Sequence, residues 1–357
     1  MRIGIDASRT FDSQKTGTES YAYELITHLL MLPEAKSHEF VLYVRPNLKF
    51  EIRNLKLSSN FKFQIVNLPC LWTQFGLALR TWTDGLDVLW VPAHTLPVLR
   101  NPKVKTVVTI HGIEYEWLPA YENWLQRWYL PLSTQYAVHS AHKIIAVSEF
   151  TRDQLIERLG VDPAKISVVY EGTNFRDPKR STKIGERYLL FIGTVQPRKN
   201  LVRLIKAYLA LGTKHLALII CGKLGWGYEE VVKLARQHNV VLTGFVSQEK
   251  RDQLLKGALA YVQPSITEGF GLPVLEAMHA GVPVVSSNGG ALAEIVGNAG
   301  LLFDPLDVSD ISDKLVKIIN NPKLRKELIT KGHLRARKFS WEKAAKETYR
   351  ILTKFKI

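Results

Sequence analysis

Two glutamates, Glu268 and Glu276, stand with seven residues between them in the run Glu268-Gly269-Phe270-Gly271-Leu272-Pro273-Val274-Leu275-Glu276-Ala277. Carboxylates accept hydrogen bonds from hydroxyl groups, and glycines let a ligand approach the backbone closely. Pro273 suits the start of a helix and Gly281 its left-handed end, with Pro283 just beyond. That places Glu268, Gly269 and Gly271 on a strand-to-helix loop and predicts Glu276 on the first helical turn. The free amides of such a helix start, with its dipole, suit a phosphate, so an anion site is expected at 269–274. Carboxylates beside an anion are costly unless they face neutral hydroxyls such as those of a sugar or ribose. The combination points to a sugar phosphate.

A second chemical cluster is Thr194-Val195-Gln196-Pro197-Arg198-Lys199-Asn200, after the apolar run 187–193. Two adjacent cations at a strand end beside a helix start meet the need of a diphosphate leaving group, on which charge builds as the sugar bond breaks. His111-Gly112 follows another apolar run, and binding residues of parallel sheets lie at strand carboxyl ends. Gly244-Phe245-Val246 ends a further one. No D-x-D triplet occurs, which removes a common metal-dependent nucleotide-sugar site.

The elements that must position these residues are apolar runs at 2–7, 39–44, 61–66, 87–91, 104–110, 144–147 and 166–170, then 187–193, 216–220, 240–246, 260–264 and 282–286. They alternate with helical or irregular segments, which argues parallel sheets of an α/β protein. A helix is expected from about Glu19 to Leu32, Ser148 and Ser340 read as helix caps, and Gly17 lies on the loop after the first strand. A polar, turn-prone linker at about 173–186 divides a first domain, 1–175, from a second, 187–340, with a final helix at about 341–357.

Composition narrows the classes. The hydrophobic share of 46% is that of a globular protein, and no apolar run approaches the ~20 residues of a spanning helix. The opening Met-Arg-Ile-Gly-Ile-Asp reads as a strand, so no signal peptide is expected, and Cys70 and Cys221 lack metal-ligand spacing, as in a reduced cytoplasmic protein. The net charge is +15 and uneven: residues 1–175 carry 18 basic and 17 acidic residues, and 313–357 carry 14 and 4. Six of eight tryptophans precede residue 130. Such charge and such aromatics invite an anionic membrane surface as a partner. No nucleic-acid motif accompanies the charge, so no nucleic-acid partner is expected.

The glutamate pair within E-G-F-G-L-P-x-L-E-A resembles the signature of the retaining glycosyltransferases of family four (GT4), and the resemblance covers essentially the whole chain. It implies the GT-B fold: two Rossmann-like domains whose parallel sheets face across a cleft, with the last helix crossing back to the first domain. It implies that Glu276 binds the ribose hydroxyls of a nucleotide and Glu268 the hydroxyls of the donor sugar. Gly269, Phe270, Gly271 and Leu272 would then face the nucleotide sugar, Val246 the nucleobase and Gly17 the diphosphate, while His111 reaches the sugar from the first domain. Lys199 matches the family lysine that stabilises the leaving diphosphate. Thr194 stands where an arginine is usual, so Arg198 substitutes or the arginine comes from elsewhere.

The Pro-Arg-Lys-Asn variant looks like the mannosyltransferase-type subgroup. The resemblance therefore implies a hexosyltransferase, with mannose from GDP-mannose as first choice and a glycan or lipid-linked acceptor in cell-surface polysaccharide or glycolipid synthesis. No metal or other cofactor is expected, and the place expected is the cytoplasm, peripheral on the inner membrane face. A sugar-nucleotide epimerase of the same fold and a non-catalytic basic binding protein remain alternatives.

Overall fold

The computed structural model describes residues 1–11, 17–45, 60–66, 72–113, 124–173, 175, 187–212, 215–238 and 240–355, with the side chains of 124–127 left aside. The described residues divide into two compact units, one of those up to Gly172 together with the stretch from Ser340, the other of those within Thr173–Phe339. Most of the expected linker, and the loop residues 12–16, lie outside the described residues.

In the first unit β1 (Arg2–Asp6), α1 (Gly17–Met31), β2 (Glu39–Val44) and β3 (Phe61–Ile65) are followed by a π-helical turn, Trp72–Leu77, that runs into α2 (Ala78–Thr83). Then come β4 (Val88–Val91), β5 (Lys105–Ile110), α3 (Trp124–Ser140), β6 (Lys143–Ala146), α4 (Glu149–Leu159) and β7 (Ile166–Val168). All neighbours pair parallel, in the order β3-β2-β1-β4-β5-β6-β7. The central strands are buried on both faces, which is why their sequences read as unbroken apolar runs.

The second unit holds β8 (Arg187–Ile192), α5 (Leu201–Ala210), β9 (Leu216–Cys221), α6 (Glu229–Gln237), β10 (Val241–Gly244), α7 (Gln248–Gly257) and β11 (Ala260–Gln263). It continues with α8 (Leu272–His279), β12 (Val284–Ser287), α9 (Leu292–Val296), β13 (Gly300–Phe303), α10 (Val308–Asn320) and α11 (Pro322–Ala336). Its sheet is parallel in the order β10-β9-β8-β11-β12-β13. The core between sheet and helices is built from Leu189, Phe191, Leu204, Ile220, Val262 and Leu315, all almost fully buried.

Both orders reverse once, between β1 and β4 and between β8 and β11. Strands on either side of a reversal send their loops to opposite faces and leave a crevice at the carboxyl ends, where such sheets bind ligands. The last helix, α12 (Trp341–Thr353), belongs to the first unit and packs on α1. Ser340 caps it by accepting from the Lys343 amide at 3.2 Å, and the Tyr349 hydroxyl donates to the Glu34 carbonyl at 2.8 Å. Gly172 is pressed on the Trp341 backbone, so a side chain there would overlap it.

Candidate active site

The reversal between β8 and β11 places two loops side by side. After β8 the chain makes a short 3-10 turn, Pro197–Lys199, and Asn200 then adopts a left-handed φ of 58°. Asparagine tolerates that conformation better than most residues, and here its buried carboxamide donates to the Pro264 and Pro305 carbonyls at 3.0 and 2.6 Å. The Ile266 amide donates to the Arg198 carbonyl at 3.0 Å. The cationic turn is thereby fixed to the loop that follows β11.

On that loop Glu268 is buried and collects both cations. Its Oε2 accepts from Arg198 Nη1 at 2.6 Å, and Oε1 pairs with Lys199 Nζ while accepting from Ser265 Oγ at 2.6 Å and Gln263 Nε2 at 3.0 Å. Burial raises the carboxyl pKa, but Arg198 and Lys199 outweigh it and hold Glu268 near a pKa of about 2. Arg198 also donates to the Thr267 carbonyl at 3.0 Å. The loop is backed by Gly290, at φ 64°, where a Cβ would overlap the Glu268 backbone.

Gly271 ends the loop with φ 104° and caps α8 without a side-chain bond. An added Cβ there would meet Leu292 at 2.7 Å. The first-turn amides of α8 therefore have no side-chain cap, as an anion site at a helix start requires. Pro273 is the second residue of α8, which makes Glu276 the fifth. It belongs to the second turn, one beyond the expected first, because the helix begins at Leu272 rather than at the proline. Glu276 is buried; Oε1 accepts from Arg251 Nη2 at 2.7 Å, whereas Oε2 has no hydrogen-bond partner. A buried carboxylate oxygen without a donor is costly, and a ligand hydroxyl would satisfy it. Arg251, on α7, is held strongly protonated against burial by Glu276 and Asp252.

Gly269 and Phe270 are buried, and Leu272 is half-buried. Val246, just past β10, is half-buried beside an exposed Phe245. In the first unit Gly17 begins α1, and His111 follows β5. The His111 amide donates to His94 Nε2 at 2.9 Å, so His94 carries its proton on Nδ1, consistent with burial, aided by His111, pushing its pKa down to about 3. His111 Nε2 lies 3.2 Å from the Pro92 carbonyl, which can only accept, and Nδ1 lies 3.4 Å from Glu171 Oε1. Nε2 therefore bears hydrogen, and Nδ1 faces Glu171, whose pKa burial pushes up against the opposing pull of His111. Tyr21 stands edge-on to the imidazole at 4.5 Å.

Arg198, Lys199 and Glu268 are thus one cluster. Sequence reasoning missed Gln263, Arg251 and Glu171, because each earns its place through a partner distant in the chain. Ser265 lay within the recognised stretch, but its link to Glu268 needs the loop's fold. Among the described residues no group of three or more His, Cys, Asp or Glu could hold a metal ion, and no helix is long and apolar enough to cross a membrane.

Residues 15–176 match the family described as Glycosyltransferase Family 4, and 174–335 match Glycosyl transferases group 1. The O-antigen chain mannosyltransferase B of Escherichia coli is 33% identical over 269 residues, covering 70% of this chain and 71% of that one. Among solved structures, sucrose-phosphate synthase from Thermosynechococcus elongatus superposes with a TM-score of 0.79 at 18% identity, covering 98% of both chains. HepE of Anabaena, in complex with UDP and glucose, gives 0.75 at 17% identity with 99% of both covered. These matches and the two reversed parallel sheets lead to one conclusion: the chain belongs to the family-four, group 1 glycosyltransferases and is a glycosyltransferase of the GT-B fold.

Proposed function

We propose that the protein transfers a hexose, with retention of anomeric configuration, from a nucleotide sugar to a glycan or lipid-linked acceptor. The observation that carries this is the convergence of Arg198 and Lys199 with Glu268 at the β8/β11 reversal, beside the uncapped start of α8. The diphosphate binds the two cations beside the start of α8, and Lys199 and Arg198 stabilise the charge that develops as the sugar bond breaks. Glu276 offers its unpartnered Oε2 to the ribose, Glu268 faces the transferred sugar, and Val246 borders the base. Within the first unit, Gly17 and His111 are the candidate ligand-binding residues. The leaving diphosphate takes the acceptor's proton on the same face of the sugar.

Mannose from GDP-mannose is the donor of first choice, supported by the likeness to the O-antigen mannosyltransferase. UDP-glucose is the second, because HepE carries UDP and glucose. Cell-surface polysaccharide synthesis at the cytoplasmic membrane face fits such a donor and acceptor. Lys199→Ala tests the assignment: the maximal rate falls roughly 10²- to 10³-fold, as when one preorganised donor to a developing charge is removed. A chelator leaves the rate unchanged. A rate abolished by EDTA and restored by Mg²⁺, or a Lys199→Ala enzyme of undiminished rate, would overturn the mechanism. Donor identity follows from thermal stabilisation, since a donor at 100 times its dissociation constant adds roughly 2.7 kcal/mol.

A further inference from the structure

Arg251 joins two helices of the second unit. Ser247 caps α7 by accepting from the Lys250 amide at 3.3 Å, which makes Arg251 the fourth residue of that helix. Its side chain reaches α8, where Nη2 donates to Glu276 Oε1 at 2.7 Å. The same Nη2 stands 3.4 Å from Asp252 Oδ1, which also accepts from Gln248 Nε2 at 2.9 Å. Gln248 and Asp252 lie one turn apart and Asp252 is almost fully buried, so α7 itself fixes the acid that steadies the guanidinium.

The pairing is open where a purely structural one would close. The Nε and Nη2 hydrogens of a guanidinium lie on one edge and suit both oxygens of a carboxylate at once. Here only half of that edge is used: Nη2 takes Oε1, while Arg251 Nε and Glu276 Oε2 are both buried and, among the described residues, both without a hydrogen-bond partner. Unsatisfied polar atoms on two paired, buried side chains are costly. A two-bond fork would remove both costs, so the geometry keeps Oε2 back for another donor.

The surroundings make Arg251 the group that holds this carboxylate. Val274, Leu275, Ala277 and Met278, on either side of Glu276 in α8, are buried and apolar. Glu276 and Asp252 already act on each other as like charges. Removing the guanidinium would leave both buried without the cation between them, a strongly unfavourable state. The Glu276 side chain would then turn away to find water or another donor, and a hydroxyl arriving at Oε2 would lose its acceptor.

We propose that Arg251 is the positioning residue for the nucleotide ribose: by holding Oε1 of Glu276 it presents Oε2 to the ribose hydroxyls, and so sets the preference for a ribonucleotide over one that lacks them. The proposal rests on the ribose reading of Glu276 given above. Arg251 acts through Glu276, and its effect is confined to ligands that carry those hydroxyls.

The test is calorimetry of the full chain with GDP and with UDP, each against its 2′,3′-dideoxy form. The wild type should favour the ribose form of the nucleotide it binds about tenfold or more, as a hydrogen bond to a charged group provides. Arg251→Gln should bring that ratio close to one while affinity for the dideoxy form is kept, which a general loss of structure would not do. Arg251→Lys, which keeps a cation for Oε1, should hold an intermediate ratio. Adding Arg251→Gln to Glu276→Gln should cost no further affinity for the ribose form, since the two residues act as one unit. A wild-type ratio that Arg251→Gln retains, or an equal loss of both forms in Arg251→Gln and Arg251→Lys, would overturn the proposal and leave the ribose assignment of Glu276 standing. A wild type that binds both forms equally would overturn that assignment and this proposal with it.

Discussion

Glu268 holds the two cations that a leaving diphosphate also requires, so the carboxylate and the phosphate compete for Arg198 and Lys199. Glu268→Gln should therefore bind a bare nucleoside diphosphate at least as tightly as the wild type while turnover falls. Glu276→Ala should weaken that binding about tenfold, as expected for lost hydrogen bonds to a buried charged group. Calorimetry with the nucleotide alone separates the two, and an equal loss in both variants would contradict the division of roles. The same pairing makes stability depend on acid. Because the folded pKa of Glu268 lies near 2, below the ordinary value of about 4.3, its contribution is complete above the higher value and disappears as pH falls through the lower. The contribution is on the order of 2–3 kcal/mol at neutral pH. Urea midpoints should show the stability gap between wild type and Glu268→Gln closing between about pH 4 and pH 2; a gap constant across that range would mean that the carboxylate is not held by its cations.

At the scale of the element, Gly290 decides where Glu268 lies, because its φ of 64° and its contact with the Glu268 backbone leave no room for a side chain. Gly290→Ala should lower the melting temperature by several degrees, as a strained left-handed residue costs about 1–2 kcal/mol before any clash is counted. Turnover should fall further than that loss explains, and unchanged kinetics would show that the loop's position does not matter. Much of this level was legible in the sequence. Buried parallel strands betray themselves as apolar runs, so β2 at 39–44 was found to the residue, and Ser148 caps α4 as expected, accepting from the Thr151 amide at 3.0 Å. The signature glutamates announced the loop before α8 through local residue types alone. Glu276 was misplaced by a turn because proline suits several early helical positions, and only Gly271 fixes where the helix starts. Arg251, Gln263 and Glu171 gave no local signal. A helix bearing Glu-Lys-Arg-Asp reads as solvated until its partner, Glu276 on another helix, is known. His111 stands at the end of β5 as expected, but its neighbours Pro92 and Glu171 could not be read from the local sequence.

For the whole molecule, the chain completes its first unit last. After the second unit it returns as α12, and the buried residues of that helix, among them Trp341, Ala345 and Leu352, fill a groove against α1. Tyr21 lies 5.8 Å from the Trp341 ring and 4.5 Å from His111, so the final helix helps to set the surroundings of a candidate site residue. Replacing Trp341 by Ala should cost about 3–5 kcal/mol, the range for truncating a buried aromatic. The loss should be confined to one unit, since Trp341 contributes to the core of the first and to none of the second unit's core. Leu315→Ala, in the core of the second, should cost about 2–5 kcal/mol and act on the other unit. Hydrogen exchange read by mass spectrometry distinguishes them: Trp341→Ala should speed exchange in β1, α1 and β5 and spare β8, α5 and α10, and Leu315→Ala should do the reverse. Equal acceleration in both sets by either variant would mean that the two units unfold as one.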